Sequence, residues 1–166
     1  MKSIETIVCE LLLERKMKVS TAESCTGGLV SKKITSVSGA SGCFDLGVVT
    51  YSNEQKHKIL GVKNETLDEF GAVSQETALE MCKGVKELSG ADFGISVTGI
   101  AGPTGGTPEK PVGTVWIGIC GENLHTAQRF MFDGDRDAVR ESTANKALEM
   151  VRDTILNNFT ERCKEK

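Results

Sequence analysis

Val19-Ser20-Thr21-Ala22-Glu23-Ser24-Cys25-Thr26-Gly27-Gly28-Leu29-Val30 reads as a strand, a tight turn and a helix in immediate succession. Val19 to Ala22 forms the short strand, and beyond the glycine pair Leu29, Val30, Lys33, Ile34 and Val37 resume helical spacing. Upstream, apolar residues at positions 4, 7, 8, 11 and 12 share one helical face, and that stretch ends in the basic Arg15-Lys16. The order is helix, strand, helix.

Downstream, a Ser/Gly-rich turn (38–42) leads into Phe44 to Tyr51, whose Val48-Val49-Thr50-Tyr51 predicts a buried strand. Asn53 is expected to cap a helix to Leu60, Asn64 a helical turn from Glu65 to Phe70, and Ser74 a longer helix to about Leu88. That longer helix carries Ala78, Met81, Cys82, Val85 and Leu88 on one face. Phe93 to Thr98 is the next strand. Gly99 to Pro111 holds four glycines and three prolines and must be an irregular loop. Val112 to Cys120 and Leu124 to Phe132 follow as strands, paired as a hairpin across Gly121-Glu122-Asn123. Asp135 then caps a helix reaching roughly Phe159, with apolar Val139, Ala147, Leu148, Val151, Ile155 and Leu156. Alternating helices and strands ending in a hairpin predict a three-layer α/β/α domain with a mixed sheet. One domain over residues 1–166 is expected, without repeat or linker.

The net charge of −3 and pI near 5.5 give no basic field for nucleic acid, so a small-molecule substrate fits better. No apolar run approaches the roughly 20 residues that span a bilayer, so neither membrane insertion nor a signal peptide is expected. The six cysteines (Cys9, Cys25, Cys43, Cys82, Cys120, Cys163) are scattered without a C-x-x-C pair. That spacing points to reduced thiols in a cytoplasm and away from a zinc site.

In open α/β sheets, ligands collect where strands end and helix N-termini present unpaired N–H groups. Three unusual segments lie at such ends. In the first, Ser24 and Cys25 occupy the strand-to-helix turn, with Thr26, Gly27 and Gly28 supplying N–H groups that could stabilise an oxyanion. Cysteine is intrinsically the better nucleophile, and a helix cap at Ser24 with a small core residue at Cys25 accounts for the same pattern. The local pattern leaves all three readings open. In the second segment Lys56 lies in the first turn of the helix after Tyr51, where the helix dipole and burial favour a neutral amine able to accept a proton. Its plain alternative is a solvated lysine, and that of Tyr51 a packed strand-end aromatic. The third segment, Thr98-Gly99-Ile100-Ala101-Gly102-Pro103-Thr104-Gly105-Gly106, could cradle an anion with backbone N–H groups. Arg136 and Arg140 stand four apart on one helix face, suited equally to clamping a phosphate and to pairing with Asp133, Asp135 and Asp137. His57 and His125 have no partners at useful spacing.

Together, residues 21–28, Val49-Thr50-Tyr51-Ser52-Asn53, Gly71-Ala72-Val73-Ser74, Thr98-Gly99-Ile100-Ala101-Gly102-Pro103, Lys110-Pro111-Val112-Gly113-Thr114-Val115 and Gly134-Asp135-Arg136 resemble the CinA C-terminal domain family. The resemblance runs from about Met1 to Phe159. It implies a nicotinamide-nucleotide amidase, converting nicotinamide mononucleotide (NMN) and water to nicotinic acid mononucleotide and ammonia in pyridine-nucleotide salvage. It places the family's serine nucleophile on Ser24, its lysine base on Lys56, and its supporting tyrosine and threonine on Tyr51 and Thr98. Cys25, Thr26, Gly27, Gly28, Gly99, Gly102, Gly105, Arg136 and Arg140 are the expected substrate-binding positions, with N–H groups near Thr26 and Gly27 holding the oxyanion. No metal or cofactor is expected. The larger N-terminal domain of full-length family proteins is expected to be missing, and its activity with it. A homodimer or higher homo-oligomer is expected for an α/β enzyme of this size. The competing class is a module that binds a nucleotide or a partner protein without turnover, in competence or recombination.

Overall fold

The computed structural model describes residues 1–164, with side chains to residue 157. The elements are α1 (Ile4–Glu14), β1 (Val19–Glu23), α2 (Leu29–Thr35), β2 (Phe44–Val49), α3 (Asn53–Leu60), α4 (Asn64–Phe70), α5 (Gln75–Ser89), β3 (Phe93–Gly99), β4 (Thr114–Cys120), β5 (His125–Met131) and α6 (Arg136–Lys164). The sheet order is β2-β1-β3-β4-β5. β1 pairs in parallel with β2 and β3, and β4 runs antiparallel to β3 and β5, so the sheet is mixed. Helices α1, α2 and α6 cover one face and α3, α4 and α5 the other, giving the expected three layers.

The two faces are built differently, and the period-2 alternation of the strands explains why. In β3, Phe93, Ile95 and Val97 join the larger apolar core beneath α1, α2 and α6. Gly94 and Ser96 point the other way. A Cβ on Gly94 would stand 2.1 Å from the Cys82 carbonyl, and Ser96 Oγ donates to the Ala78 carbonyl at 2.6 Å. On β1, Ser20 Oγ donates to Val85 O at 3.2 Å. Small and hydroxylated residues therefore let α5 lie with its backbone almost on the sheet, while the opposite face packs bulky aliphatics.

Helix ends explain most differences from the expected elements. The cap of α3 is Ser52, whose Oγ accepts from Gln55 N, and Asn53 is already helical. Asn64 likewise lies inside α4, whose start is satisfied from a distance: Glu80 of α5 accepts from Lys63 N and Thr66 Oγ1, each at 2.7 Å. Ser74 and Asp135 cap α5 and α6 as expected, accepting from Thr77 N and Ala138 N. Leu88 and Leu156 are largely exposed instead of buried. At 3.6 residues per turn they sit about 80° off the stripes defined by Ala78 and Leu148. The Val48-Val49 segment belongs to an edge strand, not a buried one, and Val49 is 51% exposed. α6 continues past Phe159 to Lys164. The five cysteines with described side chains are free and buried, and the Cys163 side chain lies outside the described residues.

Gly84 of α5 meets the end of α3 with no room to spare, since a Cβ there would fall 2.0 Å from the Leu60 carbonyl oxygen. Gly84→Ala should force the two helices apart and lower the unfolding free energy by about 1–3 kcal/mol, read as a shifted urea midpoint at unchanged slope.

Candidate active site

The parallel strands β1, β2 and β3 end at the same side of the sheet, where their following segments converge. Alternation along β1 fixes the geometry. Val19 belongs to the core under α2 and Ala22 to the core under α5, so odd positions face α2 and even positions face α3 and α5. Glu23 therefore points towards the start of α2 and Ser24 towards α3.

What Ser24 meets there is Lys56. The lysine is 1% exposed, and its Nζ lies 3.0 Å from Ser24 Oγ, 3.0 Å from Thr50 O and 3.4 Å from Tyr51 O. Burial lowers the amine from its ordinary value of 10.5, because a dry ammonium loses its hydration. A neutral amine has two N–H bonds and one lone pair. The two carbonyls accept the two N–H bonds, leaving the lone pair for the serine hydroxyl. The neighbouring Cys25 would favour the charged lysine only as a thiolate. Burial instead pushes the Cys25 thiol up to about 12, so it stays protonated at neutral pH. Its side chain is a core residue, which separates it from Ser24.

The turn itself is held from two sides. Glu23, fully buried, accepts at Oε2 from Thr26 Oγ1 (2.6 Å), Gly28 N (3.1 Å) and Val30 N (3.0 Å), and at Oε1 from Ser31 N and Ser31 Oγ (2.8 Å each). From the other side Arg140 Nη2 donates to Thr26 O at 2.9 Å. The N–H groups of Gly27 and Gly28 are thereby unavailable as oxyanion donors, since they already bond Ser24 O (3.0 Å) and Glu23. Among the described residues neither Cys25 N nor Thr26 N has a hydrogen-bond acceptor, so the free donors lie one residue earlier than expected.

The loop after β3 closes the far side. Among the described residues the N–H groups of Ala101, Gly102, Thr104 and Gly105 have no backbone acceptor. Arg136 donates to Gly102 O at 2.7 Å and to Tyr51 Oη at 3.0 Å, tying the loop to the mouth of the site, where Tyr51 is 62% exposed. Lys110 anchors the loop's other end on Phe70 O at 2.8 Å. Thr98 Oγ1 donates to Ala72 O at 2.7 Å and so fixes the segment leading into α5.

These groups enclose a cavity of about 330 Å³ lined by Ser24, Cys25, Tyr51, Asn53, Lys56, Thr98, Gly99, Gly102, Gly105 and Arg136, among others. Arg140, Thr26, Gly27 and Gly28 lie behind it, in the support of the turn. Glu23 and Asn53 are not among the site residues expected from the sequence, where Asn53 reads only as a helix cap. Glu23 carried one signal, an acidic residue followed by Thr at +3 and Ser at +8 across a helix start, where unpaired N–H groups attract a carboxylate. A second hollow, of about 380 Å³, lies at the opposite end of the sheet and is lined by Lys83, Lys86, Glu87, Cys120, Glu122 and His125, among others. Among the described residues no group of three His, Cys, Asp or Glu is placed to hold a metal ion, and no helix is long and apolar enough to cross a membrane.

Known proteins share this arrangement of elements. A CinA-like protein of Kosmotoga olearia is 52% identical over 155 residues, covering 93% of this chain and 38% of the relative. The chain spans about 38% of the length of several curated relatives it matches. The crystal structure of a competence-damaged protein (CinA) superfamily member from Klebsiella pneumoniae superposes with a TM-score of 0.90 at 36% identity, over 93% of this chain and 96% of the other. The competence/damage inducible protein CihA of Agrobacterium tumefaciens gives a TM-score of 0.83 at 42% identity, over 91% and 94%. With the profile of the CinA C-terminal domain matching residues 1–155, the chain belongs to the CinA C-terminal domain family.

Proposed function

We propose that the chain is an amidohydrolase that converts NMN and water to nicotinic acid mononucleotide and ammonia, with Ser24 as nucleophile and Lys56 as its base. The observation that carries the reaction type is the buried Lys56 amine, which donates to Thr50 O and Tyr51 O and whose Nζ lies 3.0 Å from Ser24 Oγ. The choice of NMN comes from the family resemblance. The cavity supports it with a size in the range that holds small ligands.

In this reading Ser24 Oγ attacks the carboxamide carbon while its proton passes to Lys56. The N–H group of Cys25, which lines the cavity, stabilises the oxyanion, being fixed in place before charge develops. Collapse expels ammonia, which takes its proton from Lys56. Water then attacks the acyl-enzyme with Lys56 again as base, releasing the carboxylate and restoring Ser24. The ribose phosphate lies against the unpaired N–H groups of the 101–105 loop, with Arg136 beside it. Tyr51 and Thr98 hold the walls between these two ends.

The relatives' names, which refer to competence and damage, favour a second reading in which the pocket binds a nucleotide or a partner without turnover. Ammonia release from NMN separates the two. Ser24→Ala and Lys56→Ala should each lower kcat by about 10³-fold or more, in the range seen when a catalytic nucleophile or base is removed. Absence of release in the unmodified protein, with NMN still raising the melting temperature, would establish the binding reading.

The acidic limb of kcat/KM follows from the same lysine. Only the neutral amine accepts the serine proton, so kcat/KM should rise with pH through an ionisation below 10.5. Lys56→Arg, charged at every accessible pH, should remove activity throughout. Native Cys25 should resist iodoacetamide at pH 8, its thiol standing at about 12, and become carboxamidomethylated after unfolding, as mapped by mass spectrometry.

A further inference from the structure

We propose that Glu23 is the positioning residue of this centre, holding the turn so that Ser24 faces Lys56 and the N–H group of Cys25 stays uncommitted. This rests on the reading of Ser24 as nucleophile. Helix α2 has Gly28 at its N-cap with no side-chain cap, so beyond Leu29 N, which bonds Thr26 O, its first N–H groups would be unsatisfied without help. The help comes from the end of the preceding strand. One carboxylate gathers the N–H groups of Gly28, Val30 and Ser31 together with the hydroxyls of Thr26 and Ser31.

Three features separate this from an ordinary cap. A local cap at position 28 would satisfy α2 equally well but leave residues 24–27 free to rotate, whereas a carboxylate on β1 makes strand, turn and helix one unit. The Thr26 hydroxyl, inside the nucleophile turn, is bound directly at 2.6 Å. The network also continues into the sheet: Ser31 Oγ donates to Glu23, so at the 2.7 Å contact Thr21 Oγ1 must be the donor to Ser31. Every partner of the carboxylate is a neutral donor, and none of the ion pairs among the described residues involves Glu23. The site thus demands an acceptor at both oxygens. A glutamine has the same shape but turns one acceptor into a donor aimed at N–H groups, and an aspartate is one methylene too short to reach both sets.

The test uses a fluorophosphonate probe, which reads the serine without any amide substrate. Ser24 Oγ bonds to phosphorus, fluoride leaves and the hydroxyl proton passes to Lys56. Labelling rates are followed by intact mass, with peptide mapping at Ser24, for the unmodified protein, Glu23→Gln, Glu23→Asp and Glu23→Ala. Glu23→Gln should melt cooperatively yet label about 100-fold more slowly, the scale expected for roughly 1 Å of misplacement. Its kcat on NMN should fall in parallel while KM stays within about 3-fold, the signature of a lost transition-state interaction. Glu23→Ala should recover part of its labelling rate in formate, which restores two acceptor oxygens, but not in chloride at equal ionic strength.

Labelling of a folded Glu23→Gln at the unmodified rate would overturn the proposal. Should Glu23→Gln fail to melt cooperatively, Glu23→Asp and the formate response of Glu23→Ala decide, and normal labelling in the first or indifference to formate in the second overturns it. Unmodified protein that never labels at Ser24 removes the nucleophile reading and this proposal together. Unmodified protein that labels but releases no ammonia removes only the NMN reading, and the labelling rates still decide the role of Glu23.

Discussion

Two neighbouring residues at the end of a β-strand cannot point to the same face, and the whole site is arranged around that constraint at Glu23 and Ser24. The strand sends one side chain beneath α2 and the next beneath α3. Because β1 is flanked by parallel strands, it is fixed in register by β2 and β3, and a one-residue slip would exchange the two side chains. The sheet therefore specifies more than a core. It decides which chemical group lies in the cavity and which is buried as structure.

The α3 side of the site is costly to assemble. An amine held at 1% exposure, and in no ion pair among the described residues, gives up most of its hydration. Two backbone carbonyls and a hydroxyl offset part of that loss, which suits a neutral amine better than an ammonium. Close packing elsewhere supplies the compensation: small residues at Gly94, Ser96 and Gly118 let α5 sit directly on the sheet, and Gly84 lets α3 sit directly on α5. Local strain of this kind at a site, supported by the surrounding fold, is common where chemistry needs a group in an unfavourable state.

Much of this was legible in the sequence, because periodicity and capping are local signals. The strand, turn and helix over residues 19–35 follow from a short apolar run, two glycines and a change to helical spacing. Ser74 and Asp135 could be read as caps because each precedes its helix directly. What escaped the sequence is non-local. Glu80 caps α4 from across the α4–α5 contact, and Glu23 caps α2 from the strand before it. Neither carboxylate stands where a capping residue is sought. The 32-residue separation of Ser24 and Lys56 is likewise silent until β1 and α3 are placed side by side. Arg136 and Arg140 show the limit of spacing arguments: one turn apart on α6, they serve different neighbours, one tying Tyr51 to the β3–β4 loop and the other holding Thr26.

The buried lysine also ties the attachment of α3 to the solvent. In contact with the sheet, Lys56 has a weakened hold on its proton; with α3 lifted away it regains the affinity of an ordinary lysine, near 10.5. The lifted form therefore takes up protons that the docked form gives back, and acid favours detachment while alkali favours docking. The packing of this eight-residue helix, whose end lies against Gly84, is thus weakened by acid and strengthened by alkali.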